Sequence, residues 1–386
     1  MIVYLDNSAT TKQHDFVTGK MVAVMENTYG NASALHRMGM AAEKQLKTAR
    51  HQLSLPLGVR DEEIYITSGG TESNNTVHFG VADAMKRKGN HIITTEIEHP
   101  SILECCKKLS NSGFEVTYIG VDAFGRVDVK ALEQAITPAT ILISVMNVNN
   151  ELGTIEPIDE IGRIKSKHEG ILFHTDAVQS YGKLQIKPYD TYIDLLSASG
   201  HKLHGPKGSG LLYIKKGTRI NPLHYGGGQE KGFRSGTENV PAAAGFGAAA
   251  EYAAKNMDRV TKQIEELRDY FLDGIKREFE DIRINSPVGP DCVPSVLNIS
   301  FIGTRGEVLL HTLEQSEIYV STGSACSSNK KGRSHVLEAA GLRDKEIEGA
   351  VRFSFSEYNT TEQMDYTLDK LKKAVGDIRR TLKYRK

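Results

Sequence analysis

The sequence has little net charge, few cysteines and no long apolar run, and each shortage removes a class of function. Lys plus Arg and Asp plus Glu both number 48 and the formal net charge is zero, so no global polycation is available to grip nucleic acid or an anionic membrane. The four cysteines, Cys105, Cys106, Cys292 and Cys326, form no C-x-x-C pair. That scatter fits a reducing compartment and argues against a metal site of the protein's own. No apolar stretch approaches the ~18 residues of a membrane span. The start of the chain reaches Asp6 without a basic or apolar leader region. The expectation is a soluble, cytoplasmic protein with no membrane and no direct nucleic-acid contact. Internal repeats and low-complexity linkers are also missing, and 386 residues suffice for about two domains with a large core.

What is present is alternation. From about residue 60 to 215, short runs rich in Ile, Val and Tyr are separated by longer mixed segments: 64–67, 91–95, 116–121, 141–145, 171–174, 195–198 and 211–214. Most are continuous rather than alternating, which marks strands covered on both faces, as in an α/β sheet. The Ala-rich stretch 241–254 predicts a close-packed helix, and the charged periodic segment from Met257 a long helix leading out of it. After about residue 285 the strands thin out (295–301, 318–321, 351–355), as in a smaller α+β unit. Met364, Leu368, Leu371, Val375, Ile378 and Leu382 keep one apolar face on the last helix, with Thr360 and Gln363 as its capping box.

Ser197-Ala198-Ser199-Gly200-His201-Lys202 sets a lysine just after a small polar turn that leaves a strand. Such an amine can form an imine with an aldehyde, with Ser199 and His201 as donors to a phosphate. On its own the hexapeptide reads equally as a surface loop. Ser68-Gly69-Gly70-Thr71-Glu72-Ser73-Asn74 follows a strand and opens a helix. Gly70 there lets backbone N–H groups approach an anion and Thr71 adds a hydroxyl, although most glycine turns simply reverse the chain. Asp176 sits just past a buried strand, where a protonated pyridine nitrogen would pair it; as a helix cap it would leave Gln179 a bystander. Asn149-Asn150-Glu151 and Glu98-His99-Pro100 end two further strands at the same sheet edge, where ligands of open α/β sheets gather. His99 is either structural or a proton carrier lying against a ring.

Together these segments resemble the cysteine desulfurases of the NifS/IscS type, within the fold-type I pyridoxal phosphate enzymes, a class V aminotransferase-like group. The resemblance runs from Tyr4-Leu5-Asp6-Asn7-Ser8-Ala9-Thr10-Thr11 to Val351-Arg352-Phe353-Ser354. It is most specific at Ser199–Lys202, at Gly226-Gly227-Gly228-Gln229-Glu230 with Arg234-Ser235-Gly236-Thr237, and at Ser324-Ala325-Cys326. It implies a large, mostly parallel-sheet cofactor domain, residues 15–257, and a small domain, residues 1–14 with 258–386, carrying a mobile cysteine loop at about 322–334. Pyridoxal 5'-phosphate would be bound through Lys202, with Asp176 on the ring nitrogen, Gln179 on the ring oxygen and His99 stacked on the ring. Thr71, Ser199 and His201 would hold the phosphate, joined by Thr237 of the partner subunit in a homodimer. Asn150 and Arg352 would hold the carboxylate of L-cysteine, a task suited to a planar guanidinium. Cys326 would take the sulfur as a persulfide, leaving L-alanine, and pass it to an acceptor protein of iron-sulfur assembly or tRNA thiolation.

Two departures from the family pattern stand out. Its asparagine-proline-serine-serine loop appears as Asn31-Ala32-Ser33-Ala34, and the acidic-proline element after the cysteine is replaced by Lys330-Lys331-Gly332-Arg333. The readings to be beaten are a selenocysteine lyase, a small-amino-acid aminotransferase, and a non-catalytic sulfur-relay scaffold docking through that basic cluster.

Overall fold

The computed structural model describes residues 1–322 and 333–382. Its strands are β1 (Val3–Tyr4), β2 (Ile64–Thr67), β3 (His91–Thr95), β4 (Glu115–Ile119), β5 (Thr140–Ser144) and β6 (Leu172–Asp176). They continue with β7 (Leu195–Ser199), β8 (Gly210–Ile214), β9 (Ile282–Ile284), β10 (Val296–Phe301), β11 (Ile318–Tyr319) and β12 (Ala350–Ser354). Seven of them make one sheet in the order β2-β8-β7-β6-β5-β3-β4. All run parallel except β8, which is antiparallel to both its neighbours.

The sheet explains why its strands read as continuous apolar runs. Successive side chains point to opposite faces. Ile92, Leu142, Leu195 and Leu212 pack under the helix Gly70–Met85 through Val77 and Val81. Their neighbours Ile93, Ile143, Leu196 and Leu211 join Phe173 and Phe246 in the core on the other side. Where both faces are covered, as in β3, β5, β7 and β8, the strands are buried throughout, and each fully buried Leu or Ile contributes about 1.5–3 kcal/mol.

A second core gathers Val3, Leu5, Phe271, Phe301, Phe353 and Met364 around the antiparallel sheet β12-β10-β9 and the parallel pair β1-β11. One helix serves both cores. Val240–Glu278 runs unbroken for 39 residues, where the sequence reading had two helices meeting near Met257. Nothing at Asn256-Met257 stops a helix, since neither Gly nor Pro is present there. Phe246 and Ala250 of this helix enter the first core, and Leu267, Phe271 and Ile275 the second. The last helix, Thr361–Thr381, has its capping box: Gln363 N–H donates to Thr360 Oγ1, and Thr360 N–H to Gln363 Oε1, both at 3.3 Å. Leu382 is 47% exposed and stands outside the apolar stripe assigned to it. The short strands β1 and β9 carried too little pattern to be expected. Among the described residues no helix is long and apolar enough to cross a membrane.

Candidate active site

The carboxyl ends of β6 and β7 supply the first wall of the site. Asp176 is the last residue of β6 rather than the first beyond it, and is almost fully buried. Its two oxygens accept from Asn74 Nδ2 at 2.7 Å and from Val178 N–H at 2.9 Å. Asn74 also donates to Ser101 Oγ at 2.9 Å, and that hydroxyl donates to His99 Nδ1 at 2.8 Å. The Ser101 backbone N–H points at the same ring nitrogen, 3.1 Å away. Two donors on Nδ1 fix the tautomer with its proton on Nε2. Burial lowers the His99 pKa; Asp176 pulls it up, and Lys202 and His335 push it further down. The imidazole is therefore neutral at pH 7, with its ring orientation set through the Asp176 partner Asn74.

Lys202 ends the short turn Gly200–Lys202 directly after β7. Its amine donates to the carbonyls of Ser8 and of Ala9, the latter at 2.7 Å. Gln179 Nε2 also donates to Ser8 O, at 3.0 Å. The N-terminal segment thus closes over the lysine. Thr11 Oγ1 donates to His201 O at 2.8 Å, and Thr10 Oγ1 lies 3.1 Å from His201 Nδ1. Burial, then the charge of Lys202, brings the His201 pKa down to about 4. Opposite stands the start of the helix Gly70–Met85. A Cβ on Gly210 would meet the Gly69 backbone at 2.5 Å, so β8 can approach this turn only with glycine there.

The second wall comes from β12. Arg352, buried, donates through Nη1 to Asn150 O at 2.8 Å and through Nη2 to Asp6 Oδ1 at 2.7 Å. Its Nε is buried with no hydrogen-bond partner among the described residues. An unmet N–H on a buried guanidinium is a place for an anionic ligand atom. Asn149-Asn150-Glu151 does not end β5, which stops at Ser144; it lies in the loop beyond, where Ser334 Oγ donates to Glu151 Oε2 at 2.5 Å. His335 Nε2 donates to Glu98 O at 3.0 Å. Glu98 itself is fully buried, and burial, with the charge of Asp176 adding, pushes its pKa up to about 8.

One cavity of about 330 Å³ gathers Gly70, Thr71, His99, Asn150, Asp176, Gln179, Ser199, His201, Lys202 and Arg352. Thr237 is exposed and does not line it. Cys326 lies outside the described residues; Ser321 and Arg333, on either side of the undescribed stretch, line the same cavity. The other cysteines are buried, with thiols pushed up to about 12 by burial, so they are packing groups rather than nucleophiles. The residues present fit pyridoxal 5'-phosphate: a lysine amine, a buried carboxylate, an imidazole and the open N-terminus of a helix converge on one space. Asp6, Ser8, Asn74, Ser101 and His335 were not foreseen. Asn74 and Ser8 lay inside quoted motifs, but nothing in their local sequence says that one holds Asp176 and the other Lys202.

Comparison with known proteins bears on this arrangement. Residues 3–367 match the family model described as Aminotransferase class-V. The chain is similar to "Cysteine desulfurase IscS" of Dictyoglomus turgidum, 43% identical over 383 residues that cover 99% of this chain and 97% of the relative. A solved structure titled "NIFS-LIKE PROTEIN" superposes with a TM-score of 0.92 at 39% identity, covering 98% of this chain and all of that one. Another, "SspA in complex with cysteine", gives 0.82 at 35% identity over 93% of this chain and all of the other.

Proposed function

The chain belongs to the class-V aminotransferase family and is a cysteine desulfurase of the NifS/IscS type, and from that premise we propose how its own residues divide the work. The family is pyridoxal phosphate-dependent. In our reading the cofactor is held in this chain by Lys202, Asp176, Gln179 and His99, with its phosphate on Gly70, Thr71, Ser199 and His201 and on Thr237 of the partner subunit. When bound, pyridoxal phosphate supplies an electrophilic carbon and an electron sink for the charge left by a departing α-proton. What supports the reading is the convergence of Lys202, Asp176 and Arg352 on one cavity.

Arg352 and Asn150 hold the carboxylate of L-cysteine, and the guanidinium offers its unmet Nε–H to it. Lys202, once released from the Ser8 and Ala9 carbonyls, and His99, neutral and with Nε2 protonated, move protons at the substrate carbon. The Cys326 thiolate attacks the substrate sulfur. The S–S bond forms as the C–S bond breaks, and the electron pair left on carbon takes a proton, so cysteine plus one thiol becomes L-alanine plus one persulfide with no external oxidant.

We propose a homodimer, as the requirement for Thr237 of the partner subunit in this reading demands. We also divide the chain into the units 15–257 and 1–14 with 258–386, supported by its two largest cores, which share no residue. We place the enzyme in the cytoplasm, with the Cys326 sulfur passing to an iron-sulfur scaffold or a tRNA-thiolation enzyme. The test is Cys326→Ala. It should keep the visible cofactor absorbance of the wild type and make no alanine from cysteine, whereas Lys202→Ala should lose that absorbance. Wild-type alanine production by Cys326→Ala in the presence of a reductant would overturn the assignment, and turnover that requires pyruvate would make the protein an aminotransferase.

A further inference from the structure

A second, smaller cavity of about 70 Å³ adjoins the first, and Ser8 and Lys202 line both. Lys183 lines it too. The backbone of Lys183 is fixed in the turn after Gln179, where its N–H donates to Ser180 O at 2.9 Å and its carbonyl accepts from Thr261 Oγ1 at 3.5 Å. Its amine has no hydrogen-bond or ion-pair partner among the described residues. Burial alone brings the Lys183 pKa down to about 8, with no carboxylate offsetting it. Its charge is felt by His201 and His204, whose pKa values it helps to lower.

The charges around this cavity do not balance. The groups facing Lys183 are His201, Lys202 and His204 on the turn after β7, His14 from the N-terminal segment, Tyr252 and Asn256 from the long helix, and Glu357. Among the described residues Glu357 is the only carboxylate in the lining, and it is already engaged by Tyr252 Oη at 2.8 Å, Arg259 at 3.3 Å and His14 Nε2 at 3.7 Å. Leu203, Met257, Val260 and Phe355 complete a largely apolar wall. Lys183 is partly buried, and an ammonium that lines a largely apolar wall with no counter-charge beside it is stabilised by one supplied from outside. One water needs roughly 10–15 Å³ of such space, so the cavity of about 70 Å³ has room for a small anion together with water.

We propose that this cavity binds a small monovalent anion, of the size of chloride or formate, paired with the Lys183 ammonium across the Ser8–Lys202 wall from the cofactor cavity. The test titrates the holoenzyme with sodium formate, with sodium gluconate, a bulkier anion, holding the ionic strength constant. The melting temperature should rise by several degrees and saturate, and the rise should fade as alkaline pH deprotonates the amine. Lys183→Met should abolish the formate response. Crystals soaked in bromide should show an anomalous peak in the cavity against Lys183, which decides the matter even if the variant does not fold. No saturable response in the wild type, an equal response in Lys183→Met, or bromide only elsewhere would overturn the proposal. None of these readouts depends on desulfuration, so the two proposals stand or fall separately.

Discussion

The two walls of the cofactor cavity are built by opposite means. On one side Asp176, Ser199, His201 and Lys202 occupy adjacent positions at the carboxyl ends of β6 and β7, so the pairing of neighbouring strands puts them side by side. On the other, Arg352 meets Asp6 across 346 residues and Asn150 across 202, with Ser354 bridged to the N-terminal segment. The first wall is a property of a sheet edge; the second exists only once both ends of the chain have met. We propose that the first holds the cofactor and the second the substrate, so changes in one should alter colour and turnover, and changes in the other affinity.

Asp176→Asn should have the larger effect. It keeps the Val178 contact but removes the negative charge proposed for the ring nitrogen. Loss of an electrostatic group aimed at developing charge lowers kcat by about 10²–10³-fold, with KM for cysteine little changed and the visible spectrum shifted. Arg352→Lys should act the other way. Lysine cannot reach the Asn150 carbonyl and Asp6 together and still offer a third N–H. The loss of one charge-assisted hydrogen bond, about 1.5–3 kcal/mol, corresponds to roughly 10–150-fold in kcat/KM, carried by KM with normal cofactor absorbance. A KM effect from Asp176→Asn, or a kcat effect of equal size from Arg352→Lys, would dissolve the division between the walls.

The same contrast governs what was legible in the sequence. The strand-end residues could be read because a continuous apolar run followed by a polar turn specifies both the strand and the place where it stops. Local sequence places Lys202, Asp176 and His99 close to strand ends, but each alone reads equally as a loop, cap or structural residue, and their roles come only from the family resemblance. Asp6 and Ser8 were quoted only as part of a family resemblance, because their partners Arg352 and Lys202 lie 346 and 194 residues away. Asn74 looks like any helical asparagine until Asp176 and Ser101 are seen on either side of it. The antiparallel β8 was likewise unreadable: Gly210–Ile214 is as fully buried as β7 beside it, and strand direction leaves no mark on composition.

Glu98 lies where the walls join, and changing it should move stability more than chemistry. Its Oε1 accepts from Met146 N–H at 2.8 Å and from Thr95 Oγ1 at 2.9 Å, and its carbonyl accepts from His335 of the second wall. Its folded pKa is about 8, whereas an unfolded glutamate titrates near ~4.3. Between those values the folded state keeps a proton that the unfolded chain has released, so this group's contribution is fully present below pH ~4.3 and is lost as pH rises to 8. Glu98→Gln keeps the two bonds accepted at Oε1 and has no proton to lose. Its melting temperature relative to wild type should therefore climb from pH 5 to 8 and level off above, with kcat and KM close to those of the wild type near neutrality, where Glu98 is already uncharged. An offset independent of pH would mean that Glu98 is ionised in the folded protein. In that case a second negative charge stands near Asp176, and the junction of the walls takes part in the electrostatics of the first.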